Sequence, residues 1–349
     1  MVIKIIMTEV HGEILNSTNS LKLQNVIKSS NFSIHFLKGK IDAKVLRNYH
    51  VLIIGGPTVP LDLSEILAAE KFVNQGGFLV LLSVAGGDLS NNNLSELSRR
   101  FEFEFNPDYV EDYKHNINNN PRLPIIRYIK KGFSITKSVN KIVFTGCSIS
   151  VLDDSVKGFL YTDKDALPYM ATLGVVSLEK NIIGLSSSSI FNDTLLDKFD
   201  NKRLLQNILN YIESIFKKIE KELRVKHKNL TPLRASKIIE HLIMLNSKKL
   251  EEIDKLIDKM WSRIIDQIPR LENKIILENL EKSYKLILQK IDLLDFEVGQ
   301  KNSEFNFLGE KYQESVQQAM NRWYEIEAEK REKLDMIKNN LLTRINNSN

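Results

Sequence analysis

The residues that could do acyl-transfer chemistry in this sequence follow a predicted buried strand. Ser83 comes directly after the apolar run Phe78–Leu82 and is followed by Gly86-Gly87. A nucleophilic serine in an α/β enzyme occupies such a strand-to-loop turn, where small neighbours let the chain turn sharply. Here Leu81 and Leu82 precede the serine. The position therefore suits a nucleophile, whereas its neighbours do not.

A serine nucleophile also needs a base within hydrogen-bond reach. The histidines divide into two in predicted loops, two beside predicted strands and two in the C-terminal half, namely His11 and His115, His35 and His50, and His227 and His241. No pairing typical of a histidine metal site occurs, so we expect no metal and no cofactor. A site built only from the carboxylates of Asp88, Asp112 and Asp193 stays open as an alternative.

A second glycine turn, Gly55-Gly56-Pro57, ends the apolar run Val51–Ile54. Its N–H groups could face an anion, but it lacks the glycine spacing of a dinucleotide site and no P-loop lysine follows. A tight strand-to-loop turn is the simpler interpretation. The candidate ligand- or partner-binding residues are those of the two glycine turns: Gly55, Gly56, Pro57, Ser83, Gly86, Gly87 and Asp88.

A third segment, SSSSIFNDTLLDKFDNKRLLQNILNYI (186–212), begins at the end of a predicted strand and finishes in an amphipathic helix. An acyl-transfer enzyme of this architecture would present its histidine in the loop 187–192, which has none. Asp193, Asp197 and Asp200 precede the predicted helix Lys202–Phe216, and carboxylates there stabilise its positive end. We expect Asp200 or Asn201 to cap this helix. The segment is interpreted as a degenerate site.

The elements that must position these residues alternate between strand and helix over residues 1–216. Strands are predicted at 2–7, 32–37, 51–54 and 78–82, and helices at 21–28 and 64–74, the second ended by Gly76-Gly77. Short apolar strands separated by helices indicate a parallel sheet covered on both faces. The fold class is therefore α/β, a doubly wound and mostly parallel Rossmann-like sheet.

The pattern over residues 101–190 is less regular. Strands are predicted at Ile142–Phe144, Gly158–Tyr161, Tyr169–Val176 and Ile182–Ser186, the last two as a hairpin, and Asn116–Leu123 as a polar loop. The order of these strands is left open.

The strand pattern stops near residue 217, so residues 217–349 form a second predicted domain. Thr231-Pro232 favours a helix start, and Leu308–Ile345 has the spacing of one long helix. Such a helix needs partners, so we expect a bundle or coiled coil that oligomerises or binds protein partners. The junction 217–237 has eight Lys/Arg against two Glu, including Lys217, Lys218, Lys221, Arg224, Lys226 and Lys228. It is interpreted as a solvated helix face, with nucleic acid or anionic lipid as the alternative.

Composition sets the broad class of protein. The chain has 349 residues, 42% hydrophobic and 27% charged, which suits a globular protein of about two domains. Its single cysteine, Cys147, rules out an intrachain disulfide framework and is consistent with a reducing cytoplasm. No apolar run reaches the roughly 18 residues of a membrane span, and the N-terminus MVIKIIMTEV is interpreted as a strand rather than a signal peptide.

Two stretches carry a family resemblance. VLIIGGPTVPLDLSEILAAEKFVNQGGFLVLLSVAGG (51–87) resembles the middle of the GIFT-type domain, a glutamine-amidotransferase-like fold, and LSNNNLSELSRRFEFEFNPDYV (89–110) resembles its continuation. This family occurs in bacterial gliding-motility and ABC-transport-associated proteins and in the fifty-second intraflagellar transport protein of cilia. The end of the domain is matched by 186–212, at Phe191, Asp193, Leu196, Asp197, Lys198 and Asn201.

The resemblance covers residues 1 to about 216 and implies an amidotransferase-like domain without the Cys–His pair. In the ciliary relative such a domain serves as an assembly platform, so the resemblance implies a non-catalytic scaffold and not an enzyme. The alternative is a small-ligand domain, for a sugar or nucleotide, with residual hydrolase-type activity. Residues after 217 do not resemble the ciliary protein, and the Asn/Lys/Ile-rich composition favours an archaeal or prokaryotic relative.

Overall fold

The computed structural model describes residues 2–177, 179–226, 237–245, 247–248, 251–252, 255 and 307. The chain forms two compact units, Met1–Ile219 and Glu220–Asn349. The named strands of the first unit are β1 (Ile3–Thr8), β2 (Phe32–Leu37), β3 (Val51–Gly55), β4 (Phe78–Leu82), β5 (Phe103–Phe105), β6 (Glu111–Asp112), β7 (Asn116–Ile117), β8 (Asn120–Ile126), β9 (Tyr128–Ile129), β10 (Ile142–Val143), β11 (Ile149–Val151), β12 (Val156–Tyr161), β13 (Ala166–Leu167), β14 (Thr172–Ser177) and β15 (Ile182–Leu185). The α-helices are α1 (Leu21–Lys28), α2 (Ala43–Leu46), α3 (Leu63–Asn74), α4 (Leu94–Ser98) and α5 (Asn201–Lys226).

The main sheet has the order β2-β1-β3-β4-β15-β14-β11-β5, with β12 and β9 attached beside β14. The pairs from β2 to β15 are parallel. From β15 onward the pairs are antiparallel, which confirms the predicted β14–β15 hairpin. The predicted parallel α/β core is thus present, but half of the sheet is antiparallel, so the fold is mixed rather than doubly wound throughout.

The parallel strands are apolar throughout because both of their faces are buried. In β1, Ile5 and Met7 join the core that contains α1 and α5, whereas Ile6 joins the core that contains α3 and α4. Side chains alternate across a strand, so each face needs its own apolar set. Burying each such side chain contributes about 1.5–3 kcal/mol, which makes the two cores the main source of stability.

Helix α3 shows how local sequence fixes an element. The Asp62 carboxylate accepts a hydrogen bond from Glu65 N at 2.9 Å, and the Glu65 carboxylate accepts one from Asp62 N at 3.0 Å. This reciprocal capping box satisfies two amides that a helix start leaves unpaired. At the other end Gly76 has φ +92°, which favours glycine, so the predicted Gly76-Gly77 stop is confirmed.

The prediction that Asn116–Leu123 is a polar loop is wrong. This segment forms the β7–β8 hairpin, in which Ile117 pairs with Asn120 across a two-residue turn. The turn residues Asn118 and Asn119 have φ +57° and +56°, a left-handed conformation that asparagine tolerates better than most residues. The asparagines are therefore a hairpin signal rather than a sign of an irregular loop.

The start of α5 is fixed by side chains that bind elsewhere. Asn201 Oδ1 accepts from Val143 N at 3.0 Å, and Asn201 Nδ2 donates to the carbonyls of Val143 and Leu195 at 3.1 and 2.9 Å. Asp200 Oδ2 accepts from the amides of Asn140 and Lys141. The prediction that Asp200 or Asn201 caps α5 through its side chain is therefore wrong, because both side chains bind residues 140–143.

The second unit is described mainly at 237–245, which is helical. Ile239, Leu242 and Ile243 are buried there, at the spacing of one helix face. The predicted helix start Thr231-Pro232, the long helix Leu308–Ile345 and the bundle or coiled coil lie outside the described residues. Across the described part of the chain, no helix combines the length and the apolar character needed to span a membrane.

We expect Asn201→Ala to lower the free energy of unfolding by about 3 kcal/mol, because it leaves the buried Val143 amide and several carbonyls without partners. Asn207→Ala on the same helix is the matched control. Asn207 Nδ2 donates to Ile135 O and Lys137 O but is only partly buried, so a loss of about 1 kcal/mol is expected. Urea denaturation of both variants checks this, and equal losses would contradict the central role of Asn201.

His50, before β3, generates a pH prediction. Its Nδ1 accepts a hydrogen bond from Lys4 N at 3.0 Å and its ring packs edge-on against Phe216. Burial, then the positive charge of Lys4, lowers the pKa of His50 from 6.5 to about 4. Between these values the unfolded chain binds a proton that the folded chain does not.

The stability contributed by neutral His50 is thus complete above pH 6.5 and is lost as pH falls toward about 4, by up to about 3 kcal/mol. His50→Asn keeps an acceptor for Lys4 N but does not titrate. Urea unfolding across this pH window should show a shallower decline for His50→Asn than for the wild type. Identical slopes would show that His50 is not buried in its neutral form.

Candidate functional site

The carboxyl ends of β1, β3, β4 and β15 meet at one edge of the main sheet because these strands are parallel. Open α/β sheets bind ligands at this edge. It carries Thr8, the turn Gly55-Gly56, Ser83 and the segment Ser186–Ser188. We call these residues the carboxyl edge. The structure thus brings together several of the predicted candidates that lie far apart in the sequence.

Ser83 is completely buried within the carboxyl edge. Its N–H donates to Leu185 O at 2.8 Å, its carbonyl accepts from Ser188 N at 2.7 Å, and its hydroxyl accepts from the Cys147 thiol at 3.7 Å. Burial raises the pKa of Cys147 to about 12, so the thiol stays protonated at neutral pH and is a poor nucleophile. The contact between Ser83 and Cys147 therefore fits packing rather than catalysis.

Gly56 allows Ser188 to pack closely against the carboxyl edge. It has φ +75°, and a Cβ atom at this position would collide with the side chains of Ser188 and Val84. Only glycine lets Ser188 approach the chain so closely. The carbonyls of Gly55 and Gly56 accept hydrogen bonds from the amides of Leu15 and Ile14. The glycine turn is thus occupied by contacts within the protein, as the strand-to-loop interpretation predicts.

Some buried polar atoms around the carboxyl edge have no hydrogen-bond partner among the described residues. They are Thr8 Oγ1, Glu13 Oε1, Ser187 Oγ and Ser188 Oγ. A buried polar atom without a partner costs about 1–3 kcal/mol. Native proteins usually satisfy such atoms with ordered water or a bound polar molecule. These atoms are the strongest chemical feature of this edge. The sequence pattern marked the loop 187–192, which contains Ser187 and Ser188, but it did not mark Thr8 or Glu13.

The predicted loop histidines are engaged away from Ser83. His11 Nε2 lies 2.9 Å from Glu65 Oε1, which also accepts from Ile41 N at 3.0 Å. This buried network ties the loop after β1 to the start of α3. Within the described residues, His11 and Ser83 are therefore not hydrogen-bonded to each other.

The carboxylates of the alternative site have separate partners. Burial raises the pKa of Asp88, which accepts from Ser95 N at 3.3 Å. Asp112 accepts from Lys114 N and His115 N, both at 2.8 Å. The arrangement offers no shared proton between carboxylates, so a carboxylate-only site gains no support from these contacts.

One cluster with metal-ligating residue types was not predicted. Donor atoms of Asp112, His115 and Asp163 lie within 4.8 Å of one another. The Arg127 guanidinium already binds this cluster, because its Nε donates to Asp163 at 2.8 Å and its terminal nitrogen lies 3.1 Å from His115 Nδ1. Arg127 already pairs with Asp163, and Asp112 lies 3.4 Å from His115, so this cluster is better explained as a polar and ion-pair network.

The family-motif residues hold the segment 186–201 in place. Phe191 is buried in the core beside α5, and Lys198 is exposed. Asp193 accepts from Leu21 N and Lys22 N at 3.1 and 2.7 Å, so it caps α1. Asp197 pairs with Lys22 Nζ at 2.6 Å.

The prediction that Asp193 and Asp197 act on the start of the following helix is therefore wrong. The groups that they bind belong to α1, which precedes them by about 170 residues in the sequence. A carboxylate near a helix start stabilises it whichever part of the chain supplies it. Sequence proximity suggested α5, whereas the packing of the segment beside α1 selected the other helix.

The predicted basic patch is only partly described. Lys217, Lys218 and Lys221 are exposed on α5, and Lys217 pairs with Glu213 at 2.8 Å. Arg224 and Lys226 belong to the same helix, and Lys228 lies outside the described residues. The solvated helix face and its nucleic-acid or anionic-lipid alternative both stay predictions.

Comparisons with known proteins agree with the α/β fold of the first unit. A family model, the IFT52 GIFT domain, matches residues 4–177. The solved mmIFT52 N-terminal domain is similar with a TM-score of 0.55 and 19% identity, over 60% of this chain and 96% of that domain. No curated protein matches the sequence significantly.

Two further solved structures are more distant. A ThuA-like protein from Bacteroides uniformis ATCC 8492 has a TM-score of 0.42 and 14% identity, over 60% of this chain and 91% of its own. A GMP synthase component from Thermoplasma acidophilum has a TM-score of 0.41 and 12% identity, over 63% of this chain and 98% of its own.

The family match and the fold together lead to one assignment: residues 4–177 of this chain are a GIFT domain of the IFT52 family.

Proposed function

We propose that this protein is a non-catalytic scaffold of a cytoplasmic multiprotein assembly of the intraflagellar-transport type. Its degenerate amidotransferase-like domain docks a partner, and residues 217–349 oligomerise or bind a second partner. One observation carries the proposal: Ser83, at the position where an enzyme would expose its nucleophile, is fully buried against the protonated Cys147 thiol. The IFT52-type domain supports a role in a protein complex.

The docking surface that fits this role lies beside the glycine turn Gly86-Gly87. Gly86 lies against the Tyr109 ring, and the Arg122 guanidinium stacks 4.5 Å from the centre of that ring. Tyr113 and Tyr169 are each 66% exposed and flank the paired strands β6 and β13. Exposed aromatic side chains with an arginine are typical of protein interfaces. We call Tyr109, Tyr113, Arg122 and Tyr169 the tyrosine surface.

We expect the double variant Tyr113→Ala/Tyr169→Ala to lose partners that the full-length chain captures from a native lysate. Truncating two central aromatic residues of an interface commonly costs more than about 2 kcal/mol of binding free energy. Tyr128→Ala is the matched control, because Tyr128 is also exposed but packs edge-on against Tyr161. Quantitative mass spectrometry of the captured proteins, with thermal melts to confirm folding, gives the readout.

A truncated bait that ends at Ile219 distinguishes docking by the α/β domain from binding by the C-terminal half. Partners that depend on the tyrosine surface should remain bound to it, and those that depend on the C-terminal half should be lost. If the double variant captures the same partners as Tyr128→Ala, docking through the tyrosine surface is wrong.

The unpartnered atoms at the carboxyl edge favour a second candidate function, the binding of a small polar ligand such as a sugar or nucleotide. Hydroxyls and a carboxylate there would pair with ligand hydroxyl or amino groups. Glu13 Oε1 and the hydroxyls of Ser187 and Ser188 are the groups that need such partners. Residual hydrolase-type activity would additionally need a base near Ser83.

If this candidate is correct, a ligand at about 100 times its Kd should raise the free energy of unfolding by about 2.7 kcal/mol. A thermal-shift screen of sugars, nucleotides and amino acids measures this effect. Ser187→Ala should abolish the shift, whereas Ser214→Ala, on the exposed side of α5, should leave it unchanged. A screen without any shift would count against ligand binding and leave the scaffold role.

A further inference from the structure

The two ends of the main sheet differ in how they are protected. β5, at one end, is only three residues long, and its central Glu104 pairs with Arg99 at 2.6 Å. β2, at the other end, is six residues long, keeps an unbroken register with β1, and contains no proline and no Lys, Arg, Asp or Glu. Natural proteins protect edge strands by short length, charge, proline or bulges. β2 has none of these devices.

The main-chain groups of β2 divide between the sheet and its outside. Asn31 O and Leu37 O accept hydrogen bonds from Ile3 N and Glu9 N of the β1 segment. In a parallel pair, alternate residues direct their N–H and C=O groups to the same neighbour. Those of Phe32, Ile34 and Phe36 therefore point away from β1, and within the described residues β2 pairs with β1 alone.

The surroundings of this edge are strongly basic. Residues 21–50 contain six Lys/Arg and a single acidic residue, Asp42. Lys28 precedes β2, Lys38 follows it and Lys44 lies on α2; all three are exposed. None of these three lysines has an ion-pair partner among the described residues, so their charges are available to a ligand.

We propose that the β2 edge binds an acidic, extended segment of a partner protein as an added strand of the sheet. Main-chain hydrogen bonds to Phe32, Ile34 and Phe36 would give affinity, and the lysines would select acidic side chains. A second copy of this chain fits poorly, because two β2 edges would bring like charges together.

The test uses the full chain and a short fluorescent peptide that alternates glutamate with valine, with a lysine–valine peptide of the same length for comparison. Fluorescence anisotropy should show the glutamate peptide binding at least about tenfold tighter, with an affinity that falls as salt rises. Ile34→Pro, which removes one outward N–H group, should lose binding. Ile34→Ala, which loses the same side chain but keeps that group, should retain most of it.

Charge and location are tested separately. Lys38→Glu should weaken binding of the glutamate peptide by at least about tenfold. Lys164→Glu, which lies between β12 and β13, should leave that binding unchanged. Hydrogen exchange should show the amides of Phe32, Ile34 and Phe36 becoming protected on binding. Equal binding of the two peptides, equal binding by the two Ile34 variants, or protection of these amides in the free chain would each overturn the proposal.

Discussion

The Asn201 carboxamide anchors the segment that shapes the carboxyl edge. It binds the main chain at Val143 and Leu195 at once, and thereby fixes the start of α5, the loop after β15 and the strand β10 relative to one another. Because these hydrogen bonds are buried, none can be exchanged for water without cost. The path of the chain from β15 to α5 depends on them.

The same path decides what the carboxyl edge can do. Held between Asn201 and the Asp193 cap on α1, the segment after β15 places Ser188 against Gly56 and close to Ser83. In an enzyme of this architecture the corresponding space admits a substrate. Here main chain and small side chains fill it, and they leave a group of buried hydroxyls without partners among the described residues. The contacts that stabilise this segment therefore also restrict access to the carboxyl edge.

The parts of this structure that the sequence predicts well are those fixed by near neighbours. α1, β2 and β4 have the predicted bounds, because apolar periodicity and glycine turns act within a few residues. The contacts that define the site are long-range. Ser83 meets Cys147 across 64 residues, and Asp193 meets Leu21 across 172. No single-sequence pattern encodes such a partner, which is why Asp193 and Asp197 were expected at the start of α5 and not at that of α1.

The antiparallel half of the sheet has a similar cause. β5, β9 and β11 have two or three residues each, too few for a period-two pattern to stand out, and their pairing follows from the hairpins around them. These short strands nevertheless matter for function, since they extend the sheet away from the parallel core and end it in the protected edge β5. That leaves β2 as the long edge whose outer groups the described fold does not use. A domain closed at its carboxyl edge but open at this lateral edge is better suited to holding another chain than to holding a substrate. Under the proposed scaffold role, the closed carboxyl edge and the unpaired outer groups of β2 both follow from this topology.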